Sequence, residues 1–289
     1  MPNPGITFDQ NFLDTITQSE SAVNAIIFKL TESQAGKSFS KNDLLTAISF
    51  LDLTSLNGDD TPERISTLVQ KAQSPLAGYA VQVAAVCLYQ PFVPQAISAL
   101  EQTKIGVATV AGGFPSGQMD LAVKCADIEK SVQLGATEID MVINRTNPLT
   151  GNWSALYEEV RACKKSCGQA HLKVIIATGE LVDYTIIAKT SWVCMMAGAD
   201  FIKTSTGLEK VNATLEAGLI MAQAIRDFHK KTGIAVGFKP AGGIRTTQQA
   251  MTWLALIREE LGEKWLDNSL FRIGASSLLD DLAAQFKAL

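Results

Sequence analysis

The segments FIKTST at residues 201–206 and IAVGFKP at residues 234–240 decide the fold of this 289-residue chain. Each is a short run of apolar and β-branched residues, and the stretch at 212–231 between them carries an apolar stripe opposite charged residues. Such runs predict parallel strands that are buried on both faces, and such a stripe predicts an amphipathic helix. This order predicts a strand–helix–strand unit of a parallel sheet.

Six further runs of the same kind extend the pattern, with starts about 23 to 37 residues apart, which is the size of a strand–helix unit. Eight units predict an α/β fold in which the sheet closes into a TIM (β/α)8 barrel. An open, doubly wound sheet is the alternative, but LDLTSLNGDD after the first run lacks the GxGxxG pattern typical of that fold. The six runs are AISFLDL (47–53), VQVAAVCLY (81–89), KIGVATV (104–110), EIDMVI (138–143), LKVIIAT (172–178) and FRIGASS (271–277).

The pattern predicts one domain over residues 1–289, with a helical N-terminal extension at 1–46 and the barrel at 47–289. We expect the extension to form one or two helices that plug the bottom of the barrel or pack outside it. Hydrophobic residues make up 47% of the chain and charged residues 19%, which is enough apolar surface for a large core.

Composition also argues against several classes of function. The net charge of −4, without a block of basic residues, is unfavourable for binding nucleic acid or an anionic membrane. No signal peptide or apolar stretch of membrane-spanning length is evident. Five cysteines without a CxxC pair indicate free thiols in a reduced, cytoplasmic compartment. With only two histidines we expect neither a metal site nor a Ser-His nucleophile.

Two lysines within apolar runs are the strongest indication of chemistry. Lys203 and Lys239 belong to neighbouring predicted strands, where a charged and unpaired amine would be costly. A buried salt bridge with Asp52 or Asp140 is one interpretation. The other is a nucleophile and its activating neighbour, because burial and a nearby positive charge lower the pKa of an amine, and a neutral amine forms Schiff bases. These arguments do not say which lysine is which.

Asp140 and the last two loops complete the predicted site. Asp140 lies in an apolar run and needs a partner, either in a structural ion pair or as an acid/base group acting through water. PAGGIRTT (240–247) and GASSLL (274–279) follow strands 7 and 8, where TIM barrels commonly bind phosphate through glycine-rich loops and a helix N-terminus. Either loop taken alone is more often an ordinary turn.

Taken together, these motifs resemble the 2-deoxyribose-5-phosphate aldolase family of Schiff-base (class I) aldolases. The resemblance covers about residues 49–279 and is most specific in FIKTSTG and GFKPAGG. It implies a barrel enzyme that needs no cofactor and acts on a sugar phosphate and aldehydes, with a homodimer as one possibility. The implied roles are catalysis by Lys203 (Schiff base), Lys239 and Asp140, substrate binding by Asp52, Thr54, Cys87 and Thr206, and phosphate binding by Gly207, Gly242, Gly243, Arg245, Gly274, Ser276 and Ser277.

The chain departs from the family pattern in three places. Leu208 stands where several members have a lysine beside the phosphate, the chain ends AAQFKAL without the terminal tyrosine of some members, and the N-terminal extension is longer than in the shorter members. Two rival functions stay open at this level. One is another lysine aldolase on the same barrel, such as a transaldolase or a dihydroxyacetone-phosphate aldolase, and the other is a barrel that binds a sugar phosphate without catalysis.

Overall fold

The computed structural model describes residues 2–181 and 183–289, so Met1 and Val182 lie outside the described residues. Eight parallel strands form one sheet in the order β7-β6-β5-β4-β3-β2-β1-β8. Two single bridges, Phe238 to Phe271 and Ala241 to Gly274, join the two outer strands and close the barrel. The strands are Leu51–Thr54 (β1), Ala85–Leu88 (β2), Gly106–Ala111 (β3), Glu138–Val142 (β4), His171–Ile175 (β5), Phe201–Lys203 (β6), Gly237–Lys239 (β7) and Ile273–Ala275 (β8).

Helices follow the strands and cover the outside of the barrel, which buries both faces of the sheet. Thr214 and Thr246 begin two of these helices, and the side chain of each accepts a hydrogen bond from a backbone N–H of the first turn. The helices of the barrel are Pro62–Gln73 (α4), Val93–Leu100 (α5), Leu121–Gln133 (α6), Thr146–Leu149 (α7), Trp153–Ser166 (α8), Thr178–Leu181 (α9), Tyr184–Met196 (α10), Leu215–Thr232 (α11), Thr247–Leu261 (α12) and Leu278–Ala288 (α13).

The N-terminal extension forms three helices, Gln10–Asp14 (α1), Glu20–Gln34 (α2) and Lys41–Ser49 (α3), rather than the one or two that the sequence predicts. α2 packs on α11 and α12, and α3 packs on α12 and α13, so these two helices lie outside the barrel. The first predicted strand run, at residues 47–53, begins too early. Residues 47–49 end α3, because Leu44, Ala47 and Ile48 share the buried face of a helix, and the first barrel strand begins at Leu51.

No helix in the described part of the chain combines the length and the apolar character that crossing a membrane requires.

Candidate active site

The centre of the barrel is charged. Side chains alternate along a strand, and the inward positions of a TIM barrel are usually filled by branched apolar residues. Here seven buried charged residues, four basic and three acidic, meet around the barrel axis and form ion pairs with one another. This charged cluster consists of Asp52, Glu138, Asp140, Lys173, Lys203, Lys239 and Arg272.

Asp140 on β4 connects three lysines of the charged cluster. Its Oδ2 accepts hydrogen bonds from Nζ of Lys203 at 2.6 Å and from Nζ of Lys239 at 2.7 Å. Its Oδ1 lies 3.3 Å from Nζ of Lys173. Burial by itself raises the pKa of a carboxyl, but the three lysines outweigh it and hold the pKa of Asp140 well below its usual range. Asp140 is therefore an ionised carboxylate, and it accepts hydrogen bonds from the lysines around it.

The strand register places Lys203 and Lys239 side by side, since their Cα atoms are direct partners between β6 and β7. Nζ of Lys239 lies 2.5 Å from Asp52 Oδ2 and 2.7 Å from Asp140 Oδ2. Burial lowers the pKa of Lys239, but these two carboxylates outweigh burial and raise it above its usual value. Of the two interpretations that the sequence allows for Lys239, the buried salt bridge with Asp52 and Asp140 is the one that the structure shows. With the carboxylates included, Lys239 is a fixed cation.

Lys203 is the lysine of the charged cluster that reaches a cleft. It is 3% exposed and contributes to the wall of a cavity of about 200 Å³ that opens beyond the carboxyl ends of the strands. This is the face of a TIM barrel where active sites lie. Nine other residues predicted to bind substrate or phosphate line the same cleft, namely Thr54, Thr206, Gly207, Gly242, Gly243, Arg245, Gly274, Ser276 and Ser277.

One end of the cleft is suited to an anion. Gly242 has a φ of 83°, and a Cβ there would lie 2.7 Å from the side chain of Asn212, so this turn requires glycine. Ser276 and Ser277 are exposed and directly precede α13. The first backbone N–H groups of a helix have no partner within the helix and attract negative charge. With the exposed Arg245 nearby, the loops after β7 and β8 offer donors and positive charge to a phosphate group.

The structure places Asp52 and Cys87 beneath the cleft, although the sequence predicts both to bind substrate. Asp52 is fully buried and pairs with Lys239 and with Arg272, whose Nη1 lies 2.7 Å from Asp52 Oδ1. Cys87 is fully buried among Ala108 and Val110. Burial and the carboxylate of Asp140 raise the pKa of the Cys87 thiol. Asp52 thus holds the charged cluster together, and Cys87 is a protonated core thiol.

Sequence reasoning missed three members of the charged cluster. Lys173 on β5 is fully buried and contacts Glu138, with Asp52 Oδ2 at 3.4 Å. Arg272 pairs with Glu138, with Nη2 of the arginine 2.8 Å from Oε1 of the glutamate. The signal for Lys173 was the same as for Lys203, a lysine inside the apolar run LKVIIAT. Lys173 stands early in that run, however, whereas the predicted site residues stand near the ends of their strands.

Within residues 2–181 and 183–289, no three His, Cys, Asp or Glu side chains are grouped in a way that could hold a metal ion. The three acidic members of the charged cluster are already matched by lysine and arginine.

Residues 46–284 match the family model described as DeoC/LacD family aldolase. A deoxyribose-phosphate aldolase of Mus musculus is 49% identical, with 94% of this chain and 92% of the relative covered. The corresponding Homo sapiens protein is 46% identical, with 98% and 93% covered. The solved structure of a deoxyribose phosphate aldolase from Aeropyrum pernix has a TM-score of 0.64 at 24% identity, covering 91% of this chain and 97% of that one, which shows a shared fold.

Proposed function

The chain belongs to the DeoC/LacD family of aldolases, and we propose that it reversibly cleaves 2-deoxy-D-ribose 5-phosphate to D-glyceraldehyde 3-phosphate and acetaldehyde. One observation carries the proposal. Lys203 reaches the cleft from the buried strand β6 and donates a hydrogen bond to Asp140, and it stands beside the cationic Lys239 of β7. An amine in such a place forms a Schiff base with a carbonyl substrate. The names of the mammalian relatives support deoxyribose phosphate as that substrate.

Lys203 differs from the other basic groups of the charged cluster in its access to the cleft. Four basic groups face three carboxylates, so one positive charge is in excess. Arg272 does not lose its proton. Lys173, like Lys239, keeps its proton: burial lowers the pKa of Lys173, but the carboxylates around it outweigh burial and raise that pKa. Lys203 lines the cleft, so its amine is the one that a carbonyl substrate can reach.

The reaction then follows the chemistry of a Schiff base. The amine of Lys203 attacks the C1 aldehyde of the open-chain sugar, and the carbinolamine loses water to give an iminium. The iminium accepts the electron pair of the C2–C3 bond as it breaks, while the C3 hydroxyl loses its proton and glyceraldehyde 3-phosphate leaves. The enamine takes a proton at C2, and water releases acetaldehyde. Water beside Asp140 carries these protons to and from the substrate, and the cationic Lys239 holds that carboxylate through their hydrogen bond.

The phosphate of the substrate lies at the other end of the cleft. Backbone N–H groups of Gly242 and Gly243, the start of α13 at Ser276 and Ser277, and the Arg245 side chain provide its donors. Binding energy at this end positions the sugar, so that C1 lies within reach of Lys203.

Borohydride trapping with acetaldehyde, followed by peptide mass mapping, tests the proposal. Reduction of the iminium leaves an ethyl group on the reacting lysine. We expect the label on Lys203 in the wild type and no label in Lys203→Met, with Lys104→Met, an exposed lysine replaced in the same way, labelled like the wild type. Cleavage of 2-deoxyribose 5-phosphate is then measured with the same three proteins by following acetaldehyde release.

The other outcomes are equally informative. A label on Lys239 would exchange the roles of the two lysines within the aldolase. If a folded wild type is not labelled by acetaldehyde but is labelled by dihydroxyacetone phosphate, the protein is a different lysine aldolase. If neither donor labels it and it still binds a sugar phosphate, it is a non-catalytic barrel.

The reaction requires small-molecule partners, a sugar phosphate and two aldehydes. A homodimer and a cytoplasmic location also belong to the proposal. The five free cysteines support a reducing compartment. Light scattering on a size-exclusion column measures the oligomeric state, and a monomer at micromolar concentration would contradict the dimer.

A further inference from the structure

The loop that follows the strand of Lys203 contains its own anion. The carboxylate of Glu209 accepts hydrogen bonds from the backbone N–H of Thr206, with both oxygens at 3.0 Å. It also accepts from the backbone N–H of Gly207 at 3.1 Å and from the hydroxyl of Thr206 at 2.6 Å. One half-buried carboxylate therefore occupies two backbone N–H groups and one hydroxyl within four residues of chain.

These donors belong to residues that line the cleft. Thr206 and Gly207 stand on its wall together with Gly242, Gly243 and Ser277, the part suited to a phosphate. Successive backbone N–H groups in a turn with a left-handed glycine, here Gly207 with a φ of 93°, are a common binding site for anions. In this chain the carboxylate of Glu209 fills that binding site. The backbone N–H groups of the loop after β6 are therefore not free for a substrate phosphate.

Lys210, the residue after Glu209, is exposed but does not line the cleft, whereas the apolar Leu208 before Glu209 does. Leu208 is 58% exposed and lines the cleft, and Val211 is 47% exposed in the same loop. The cationic side chain on the phosphate end is Arg245, in the loop after β7. The loop after β6 thus contributes the carboxylate of Glu209 and the apolar side chain of Leu208. The loops after β7 and β8 contribute backbone N–H donors to the cleft.

On the basis of the proposed function, we propose that Glu209 determines substrate specificity. It acts as an internal anion that competes with the substrate phosphate for the N–H groups of Thr206 and Gly207, and its charge opposes a second anion nearby. The carboxylate thereby lowers the preference of the enzyme for 2-deoxyribose 5-phosphate over uncharged 2-deoxyribose. It does not touch the reacting carbon atoms and is not a catalytic residue.

Glu209→Gln tests this directly, because glutamine keeps the length and one acceptor oxygen but removes the charge. Glu101→Gln, at an exposed position at the end of α5, is the matched control. For each protein we measure kcat and KM with 2-deoxyribose 5-phosphate and with 2-deoxyribose, and the inhibition constant of inorganic phosphate. We expect Glu209→Gln to raise the ratio of kcat/KM for the phosphorylated over the free sugar about fivefold and to lower the inhibition constant of phosphate by a similar factor.

A lower ratio with weaker phosphate inhibition in Glu209→Gln would overturn the proposal, because it would mean that Glu209 supports the phosphate site by holding the loop in shape. Values equal to those of Glu101→Gln would overturn it as well. Failure of the proposed function is distinguishable, since the wild type would then cleave neither sugar. In that case calorimetric titration with inorganic phosphate still decides whether loss of the Glu209 charge strengthens anion binding.

Discussion

Replacement of Lys173 by methionine tests whether the charged cluster is one unit. Lys173 is fully buried, contacts Glu138 and lies 3.4 Å from Asp52 and 3.3 Å from Asp140, so its loss leaves buried carboxylates short of one cation. Removing one partner of a buried ion pair costs roughly 3 to 5 kcal/mol. At about 2 to 4 °C per kcal/mol for a domain of this size, Tm falls by about 6 to 20 °C.

The same change alters activity while Lys203 stays in place. Without Lys173, the carboxylate of Asp140 loses the contact between its Oδ1 and Nζ of Lys173 and is held less firmly beside Lys203. We therefore expect kcat/KM for 2-deoxyribose 5-phosphate to fall about tenfold, because a small displacement of a group in the active site is costly. Calorimetry gives Tm, and acetaldehyde release gives kcat/KM.

Two controls separate this reasoning from a general effect of losing a lysine. Lys104→Met removes an exposed amine and is expected to leave both Tm and kcat/KM close to wild type. Lys173→Met combined with Glu138→Gln removes a cation and a carboxylate together, so the double variant is expected to be more stable than the sum of the single effects. Additive losses, or a Lys173→Met protein as stable as Lys104→Met, would refute the idea of one coupled cluster.

Three further predictions follow from the same contacts. Lys239→Met removes the cation beside Lys203, and we expect kcat to fall at least about a hundredfold while KM changes little, as measured by steady-state kinetics. The pKa of Asp140 is lowered in the folded protein, so its contribution to stability is present above about pH 4 and declines below it. We therefore expect the difference in unfolding free energy between wild type and Asp140→Asn, measured by urea titration, to shrink between pH 7 and pH 3. A Cβ on Gly274 would lie 3.1 Å from Cε of Lys239 and 2.8 Å from Cβ of Ala241. We therefore expect Gly274→Ala to lower the free energy of unfolding by about 1 to 3 kcal/mol and to reduce activity. Gly58→Ala is the control, since a Cβ at Gly58 meets no atom within 4 Å.

Each of these predictions has a contrary outcome. Full activity in Lys239→Met would mean that Lys203 needs no neighbouring cation. A stability difference for Asp140→Asn that stays constant from pH 7 to pH 3 would mean that the carboxylate is not strongly stabilised in the fold. Equal stability of Gly274→Ala and Gly58→Ala would mean that the inward face of β8 has room for a methyl group.

The sequence predicted the barrel well because buried parallel strands leave a strong pattern in a single chain. It was less reliable at the start of β1, since the apolar run at 47–53 suits the end of a helix as well as a strand. The lysine and glycine residues around the cleft could be found because each stands near the end of an apolar run. The pairing of Glu138 with Lys173 and Arg272 could not be found in this way, because it depends on how residues far apart in the chain meet across the barrel axis.

The register that makes Lys203 and Lys239 direct partners has a consequence for how such an enzyme can change. Backbone pairing between adjacent strands sets the spacing of the two amines, whereas the end of the cleft suited to a phosphate is built from separate loops. The reactive chemistry and the choice of substrate are therefore modular. Loop insertions and substitutions around residues 206–212 and 241–247 can change the substrate preference, in evolution or in the laboratory. The positions of Lys203 and Lys239 stay the same.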